Sequence, residues 1–316
     1  MSPCLLVVMD PIAGIRPQKD STLAMLLEGQ RRGWRLLYAE PGDLALDGGR
    51  AFASVRPIEV DDHPERWFRL GDPSTVPVAE ADIVLMRRDP PFDREYLYDT
   101  LVLERAGEEG ALIVNDPAAL RSLNEKLAAL AFPQFAPPSL AAREMAALRA
   151  FARRHGEIVL KPLDGMAGRS VFRTRADDPN LGVILETLTE EGKRMALAQR
   201  YLPEIAQGDK RILVVDGEPA PFALARIPSG EGEHRGNLAR GGRAQAVPLS
   251  PRDREIASTV GLELRRRGVI FAGLDVIGEH LTEINITSPT GIRELRRLCG
   301  IDVASMLFDA LERRLR

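Results

Sequence analysis

GVIFAGLDVIGEHLTEINITSPTGI, residues 268–292, reads as two strands joined by a tight turn. Side chains alternate across a strand, so Leu274, Val276, Ile284 and Ile286 share one face while Asp275, Glu283 and Asn285 share the other. If Gly278, Glu279 and His280 form a three-residue loop, Ile277 pairs with Leu281 and Asp275 lies across from Glu283. Like charges directly opposed in a sheet are destabilising. A divalent cation would remove that penalty, and hard oxygen ligands suit magnesium. A one-residue slip would throw the carboxylates onto opposite faces, but only the first register keeps the apolar face continuous. A half-solvated edge strand is the reading that needs no ligand.

Magnesium usually arrives with phosphates, so a phosphate cradle is expected elsewhere in the chain. No P-loop pattern and no dinucleotide fingerprint occurs. LKPLDGMAGRSVF instead places Lys161 just before a glycine loop between two strands, and backbone N–H groups there can form an anion nest. Lys126, in SLNEKLAAL, reads otherwise as a solvated helix lysine. Asp216-Gly217 is a strong hairpin signal, and a two-residue turn there puts Arg211 and Arg226 on one face, which suits an anionic ligand. The stretch PSGEGEHRGNLARGGR that follows holds five glycines with Arg235, Arg240 and Arg243. It is long for a connector and is expected to close over a site, plain disorder being the alternative.

The first third alternates strands (CLLVVMD, WRLLYAE, ADIVLM, ALIVN) with helical patterns, which implies a mainly parallel sheet covered on both faces. DSTLAMLLEGQRRG is expected as a helix capped at Ser21 or Thr22, and NDPAAL as one capped by Asp116 with Pro117 at its first position. VVMDPI and VLMRRDPPFD put Asp10, Arg87, Arg88 and Asp89 at the carboxyl ends of strands, where open α/β sheets bind ligands. The proline-rich AFPQFAPPSL reads as a linker into a region of hairpins.

The chain has 316 residues, 44% hydrophobic and 28% charged, enough for two or three domains. A net charge of −3 gives no electrostatic case for nucleic acid or an anionic membrane. No apolar run is long enough to span a bilayer. The amino terminus lacks the basic region of a signal peptide and reaches Asp10 too soon for one. Two cysteines, Cys4 and Cys299, without metal-like spacing suit a reduced cytoplasmic protein.

Taken together, MDPI, MRRDPPFD, LNEK, LKPLDGMAG, GDKRILVVDGEP, RIP…RGNLARGGR, GLDVIG and TEINITSPTGIRE resemble the ATP-grasp superfamily, and within it bacterial glutathione synthetases. The resemblance covers nearly the whole chain. It implies an α/β and α+β architecture, an ATP-grasp fold preceded by a Rossmann-like N-terminal domain. Residues 1–122 would form the substrate-binding domain, 123–203 the central lid subdomain, and 204–316 the subdomain with the metal site and glycine-rich loop. By motif, ATP would meet Lys126, Lys161, the loop Gly165, Met166, Ala167 and Gly168, then Gln199, Tyr201 and Leu202 at the adenine and Asp209 at the ribose. Asp275, Glu283 and Asn285 would hold magnesium, or manganese in its place. Arg211, Arg226, Arg235 and Asn237 would serve the acyl phosphate, and Asp10, Arg87, Asp89, Ser288 and Thr290 the substrate. Ala167 stands where that family commonly has a second glycine, and Gly291 where it often has cysteine. The implied activity is ATP-dependent ligation of γ-glutamylcysteine and glycine by a homotetramer, releasing ADP and phosphate. Another ATP-grasp carboxylate–amine ligase, or a silent nucleotide-binding scaffold, are the alternatives.

Overall fold

The structure, a computed structural model, describes residues 2–166, 168–228 and 243–315. Ala167, Arg235, Asn237 and residues 229–242, the bulk of the expected closing loop, lie outside the described residues.

The first sheet contains β1 (Cys4–Val8), β2 (Arg35–Ala39), β3 (Leu44–Asp47), β4 (Arg50–Val60), β5 (Phe68–Leu70), β6 (Ser74–Pro77), β7 (Ile83–Met86) and β8 (Leu112–Val114). Helices α1 (Ser21–Arg31), α2 (Arg94–Glu108) and α3 (Pro117–Ser122) accompany it. Strands β2, β1, β7 and β8 run parallel, in that order. Beyond them β4 pairs antiparallel with β2 and carries β3, β5 and β6, also antiparallel. Strand alternation divides the parallel strands between two cores. Leu5, Val7, Ile83 and Leu85 pack with Leu23 and Leu26 of α1, and Leu6, Val8, Val84 and Met86 with Tyr96 and Leu103 of α2. Apolar runs buried on both faces are what covered parallel strands require.

The cap of α1 differs from expectation. Asp20, not Ser21 or Thr22, accepts the Leu23 N–H at 2.6 Å. A carboxylate suits the positive end of the helix, and both hydroxyls are thereby free for other partners. Asp116 caps α3 as expected, accepting from Ala119 N–H at 2.8 Å.

The second sheet is antiparallel, with β9 (Ser139–Ala142), β10 (Ile158–Pro162), β11 (Phe172–Thr174) and β12 (Ala196–Arg200) in the order β11-β10-β12-β9. Helices α4 (Met145–His155) and α5 (Leu181–Thr189) cover one face, where Leu148, Phe151, Leu181 and Leu185 meet Ile158, Leu160, Ala196 and Ala198. The alternate residues Val159, Lys161 and Gln199 line a cleft on the other face.

The third sheet comprises β13 (Asp209–Val215), β14 (Glu218–Pro219), β15 (Phe222–Ile227), β16 (Arg243–Pro248), β17 (Phe271–Ile277) and β18 (His280–Asn285), ordered β16-β15-β13-β17-β18 with β14 beside β13. Helix α6 (Pro251–Arg266) packs against one face, and α7 (Ile292–Cys299) and α8 (Val303–Leu315) cover part of the other. After the Asp216-Gly217 turn, β14 pairs Val214 with Pro219, but β15 pairs Arg211 with Leu224. The register therefore shifts by two residues around Ala220 and Pro221. An even shift preserves the face, and Arg211 and Arg226 remain together.

The decisive hairpin reaches its register by another route than a three-residue loop. Ile277 pairs with His280, so the turn is only Gly278-Glu279, with Gly278 at φ +58°. That short turn alone would set Asp275 against Thr282. A β-bulge leaves Thr282 unpaired, and Asp275 faces Glu283 after all. Thr282 Oγ1 donates back to Asp275 O at 3.0 Å, which satisfies the hydroxyl within the bulge. Strand β18 is the outermost of its sheet, yet its edge is covered. Ile284 N–H donates to Glu125 O at 2.8 Å and Leu281 N–H to Phe135 O at 3.0 Å, so the solvated-edge reading does not hold.

Candidate active site

A cleft of about 460 Å³ opens between the second and third sheets. One wall carries Lys126, Lys161, Gly165, Met166, Gly168, Gln199, Tyr201 and Leu202; the other carries Asp209, Arg211, Arg226, Asp275, Glu283 and Asn285. Ser288 and Thr290 line it beside Asn285, and Asp89 reaches it from the first sheet.

Charge organises the centre. Arg211 grips Asp275 through two bonds, Nε to Oδ1 at 2.8 Å and Nη2 to Oδ2 at 2.7 Å. Arg226 Nη2 lies 2.9 Å from Asp275 Oδ2 and also donates to Asp209. Lys161 Nζ approaches Glu283 Oε1 at 3.4 Å from the opposite wall. Burial pushes the Asp275 carboxyl up, but Arg211 and Arg226 outweigh it and hold the group well below the usual range. Glu283 behaves alike, with Lys126 and Lys161 overcoming its burial. The Asp275–Glu283 opposition is therefore offset by the protein's own cations, and like-charge repulsion alone does not demand a metal.

The residues nonetheless fit one. Asp275, Glu283 and Asn285 present two carboxylates and an amide on one face, with Asn285 Nδ2 3.3 Å from Asp275 Oδ2. No group of three or more His, Cys, Asp or Glu stands ready to hold a metal among the described residues. Magnesium is commonly held by one or two carboxylates completed by substrate phosphates and water, rather than by an all-protein cage. This donor set is of that kind.

Lys126 is no solvated helix lysine. It sits in a turn after α3, 3% exposed, and its Nζ donates to Gly165 O at 2.7 Å and to Glu125. Asn124 Nδ2 donates to Leu163 O at 3.0 Å. Together they tie the glycine loop to the LNEK segment. Asp209 is raised to about 6 by burial, with Arg226 pulling it back, and its Oδ1 is buried without a partner. Val159, Met166, Leu202, Ile205 and Ile277 supply apolar lining to the cleft.

Arg87 is placed differently from a ligand-facing arginine. It is buried and does not line the cleft; Nε donates to Thr22 Oγ1 at 3.1 Å and Nη2 to Pro289 O at 3.0 Å. Ser21 Oγ accepts from Gly291 and Ile292 N–H at 3.2 and 3.3 Å. The two hydroxyls released by the Asp20 cap thus hold the SPTGI turn, one directly and one through Arg87. Asp10 also stays off the cleft wall, accepting from Asp89 N–H at 2.7 Å.

Sequence reading passed over Glu125, Glu294 and Asn115. Glu125 lines the cleft, and burial and then Glu283 raise its carboxyl; its place inside LNEK was the available signal. Glu294 also lines the cleft. Asn115 lies behind the wall and uses its whole amide: Nδ2 donates to Phe271 O and Ile286 O, and Oδ1 accepts from Ile270 and Phe271 N–H. Nothing in one sequence sets that asparagine apart from a turn residue before Asp116-Pro117.

Comparison with known proteins agrees with this geometry. Residues 4–121 match the prokaryotic glutathione synthetase N-terminal domain and residues 125–300 the ATP-grasp domain of the same family. The chain is 58% identical over 312 residues to the glutathione synthetase of Xanthomonas campestris pv. campestris, covering 99% of this chain and 98% of the relative. That of Pseudomonas putida is 54% identical over 316 residues, at 100% and 99% coverage. Among solved structures, D-cycloserine synthetase DcsG superposes with a TM-score of 0.69 at 15% identity, covering 99% of this chain and 100% of its own. The ATP-grasp ligase PsnB gives 0.64 at 18% identity, with 100% and 99% covered. At such identities these two speak for the fold alone. The chain belongs to the prokaryotic glutathione synthetase family, ATP-grasp ligases, and makes glutathione in an ATP-dependent reaction.

Proposed function

We propose that the cleft converts the cysteinyl carboxylate of γ-glutamylcysteine into an acyl phosphate, which the glycine amine then displaces. A carboxylate and an ammonium at neutral pH form an unreactive salt, so one carboxylate oxygen must become a leaving group. That oxygen attacks the γ-phosphorus of ATP and the bond to ADP breaks. The neutral amine adds to the carbonyl carbon and phosphate departs. Phosphoryl transfer asks a protein chiefly for positioning and charge neutralisation.

The observation that carries this reading is the meeting of Lys126 and Lys161 with Asp275, Glu283, Arg211 and Arg226 across one cleft. In it, the two lysines and the loop Gly165–Gly168 take the phosphates, and Gln199, Tyr201 and Leu202 the adenine. Asp209, with its unpartnered buried oxygen, accepts a ribose hydroxyl. Asp275, Glu283 and Asn285 would hold magnesium, or manganese, which when bound offsets phosphate charge. Arg211 and Arg226 stabilise the acyl phosphate, a role that the resemblance extends to Arg235 and Asn237. Asp89, Ser288 and Thr290 meet the substrate, while Asp10 and Arg87 orient Asp89 and the SPTGI turn. Residues 1–122, 123–203 and 204–316 act as substrate, lid and metal-bearing units. A cytoplasmic homotetramer completes the reading; the unpaired Cys4 and Cys299 suit a reducing compartment, and no described helix is long and apolar enough to cross a membrane.

Oxygen-18 in the cysteinyl carboxylate tests the chemistry. One labelled oxygen should appear in inorganic phosphate for each glutathione formed. Label in AMP would mean adenylation instead, and unlabelled phosphate would mean plain ATP hydrolysis.

A further inference from the structure

Among the described residues, three cleft-lining side chains bury a polar atom that has no hydrogen-bond partner: Asp209, Arg226 and Glu294. The first two have roles in the reaction above. Glu294 has none. It lies in the first turn of α7, 7% exposed, with Oε2 fully buried and unpaired. Burial raises its carboxyl, against the pull of its own backbone N–H and of Lys19, Arg297 and Arg293. A helix start favours an acidic residue, but the dipole is served as well by an exposed one. It does not account for a buried, unpaired oxygen on a residue that lines the cleft.

We propose that Glu294 binds the α-ammonium of the γ-glutamyl residue and so selects donors that carry it. The inference rests on the ligase reading above and deepens it. From Asn285 the chain lines the cleft through Ser288, Pro289, Thr290 and Gly291 before reaching Glu294. Glu294 thus reaches the cleft from α7, past the turn, and not from the hairpin that carries Asp275 and Glu283. In γ-glutamylcysteine the ammonium sits at the opposite end of the molecule from the carboxylate that is phosphorylated. The glycine ammonium is the poorer match. It must lose a proton before it attacks, and a buried carboxylate bonded to it would hold that proton in place. The glutamyl ammonium stays charged throughout and supplies the hydrogen-bond donor that Oε2 lacks. A charge-assisted bond in a dry site is strong enough to discriminate against a donor without the group.

The test compares γ-glutamylcysteine with N-glutarylcysteine, which lacks only the amino group, in the wild-type protein and in Glu294→Gln. Gln keeps the volume and removes the buried charge, so the unfolding midpoint should not fall. The wild type should favour γ-glutamylcysteine by roughly 30-fold in kcat/KM, the scale of one hydrogen bond to a charged group. Glu294→Gln should lose most of that preference through a raised KM for γ-glutamylcysteine, with kcat/KM for N-glutarylcysteine not lowered and KM for glycine unchanged. Equal losses with both donors would show a merely structural role and overturn the proposal. A rise confined to the KM for glycine would overturn it in favour of the acceptor. Wild-type protein that ligates neither donor would sink the ligase reading as well, whereas unchanged discrimination in a working enzyme sinks this proposal alone.

Discussion

Asp275 stays ionised because Arg211 and Arg226 outweigh its burial, and that sets a pH dependence. Its folded pKa lies below the unfolded value of about 3.9, so its stabilising contribution is full above that value and is lost as pH falls below it. Asp275→Asn should lower stability at pH 7 by about 3 kcal/mol, since it strips a buried pair of its anion. In denaturant titrations the gap between variant and wild type should hold from neutral to about pH 5 and close below about pH 4. A gap independent of pH down to 3 would deny the charge pairing. Glu283→Gln should lower the unfolding midpoint at neutral pH, since Lys126 and Lys161 lose their anion, and reduce turnover by about 100-fold, close to 2.7 kcal/mol of barrier; ligation at the wild-type rate under saturating magnesium would remove Glu283 from the site. Both carboxylates were legible because strand alternation is a property of the sequence itself. Glu125 and Glu294 were not, because what sets them apart is tertiary burial.

Elements were legible where period and caps coincide, as in α3 and the hairpins around Asp216-Gly217 and Asp275. Of the antiparallel extension, LDGGR marks the Gly48-Gly49 turn that joins β3 to β4, but the pairing of β4 with β2, β5 and β6 was not legible, since alternation does not record which strand takes which neighbour. Nor was the bulge at Thr282, which no residue type marks. Packing between elements gives a prediction that propensity alone would get wrong. Gly261 lies within α6, where alanine is the better helix former by about 1 kcal/mol. A Cβ there would stand 2.2 Å from Gly217 O and 2.9 Å from Gly217 C, backbone atoms of the β13–β14 turn. Gly261→Ala should therefore lower the unfolding midpoint, with a net cost of about 1–3 kcal/mol as in overpacked cores. A raised midpoint would mean that the turn gives way freely.

Across the molecule, the first and third of the segments that the resemblance implies share their apolar cores, while the second sheet keeps its own. Leu6 and Val84 of the first sheet belong to the same apolar cluster as Ile212, Leu274 and Ile284 of the third. Asn115 marks the seam, joining the end of β8 to Phe271 at the start of β17 and to Ile286 just past β18. Asn115→Ala would leave two buried N–H groups and two carbonyls without this partner. A loss of about 3 kcal/mol or more in unfolding free energy should follow, with weaker ATP binding by calorimetry because the hairpin loses its backing. Unchanged ATP affinity in a destabilised variant would confine Asn115 to stability. Long-range roles of this kind escape a single sequence, because the partners of Asn115 lie more than 150 positions away.

The two-residue turn and the bulge at Thr282 also bear on how this hairpin can drift in length. Each alone would reverse the phase of β18, and only together do they keep Glu283 toward the cleft and Ile284 toward the core. The segment therefore behaves like a reading frame. A single-residue insertion or deletion between Asp275 and Glu283 would exchange every side chain beyond it between the two faces, while a compensating second change nearby would restore phase. Natural length variants here should come as pairs, and a lone indel should be silenced as thoroughly as loss of both carboxylates.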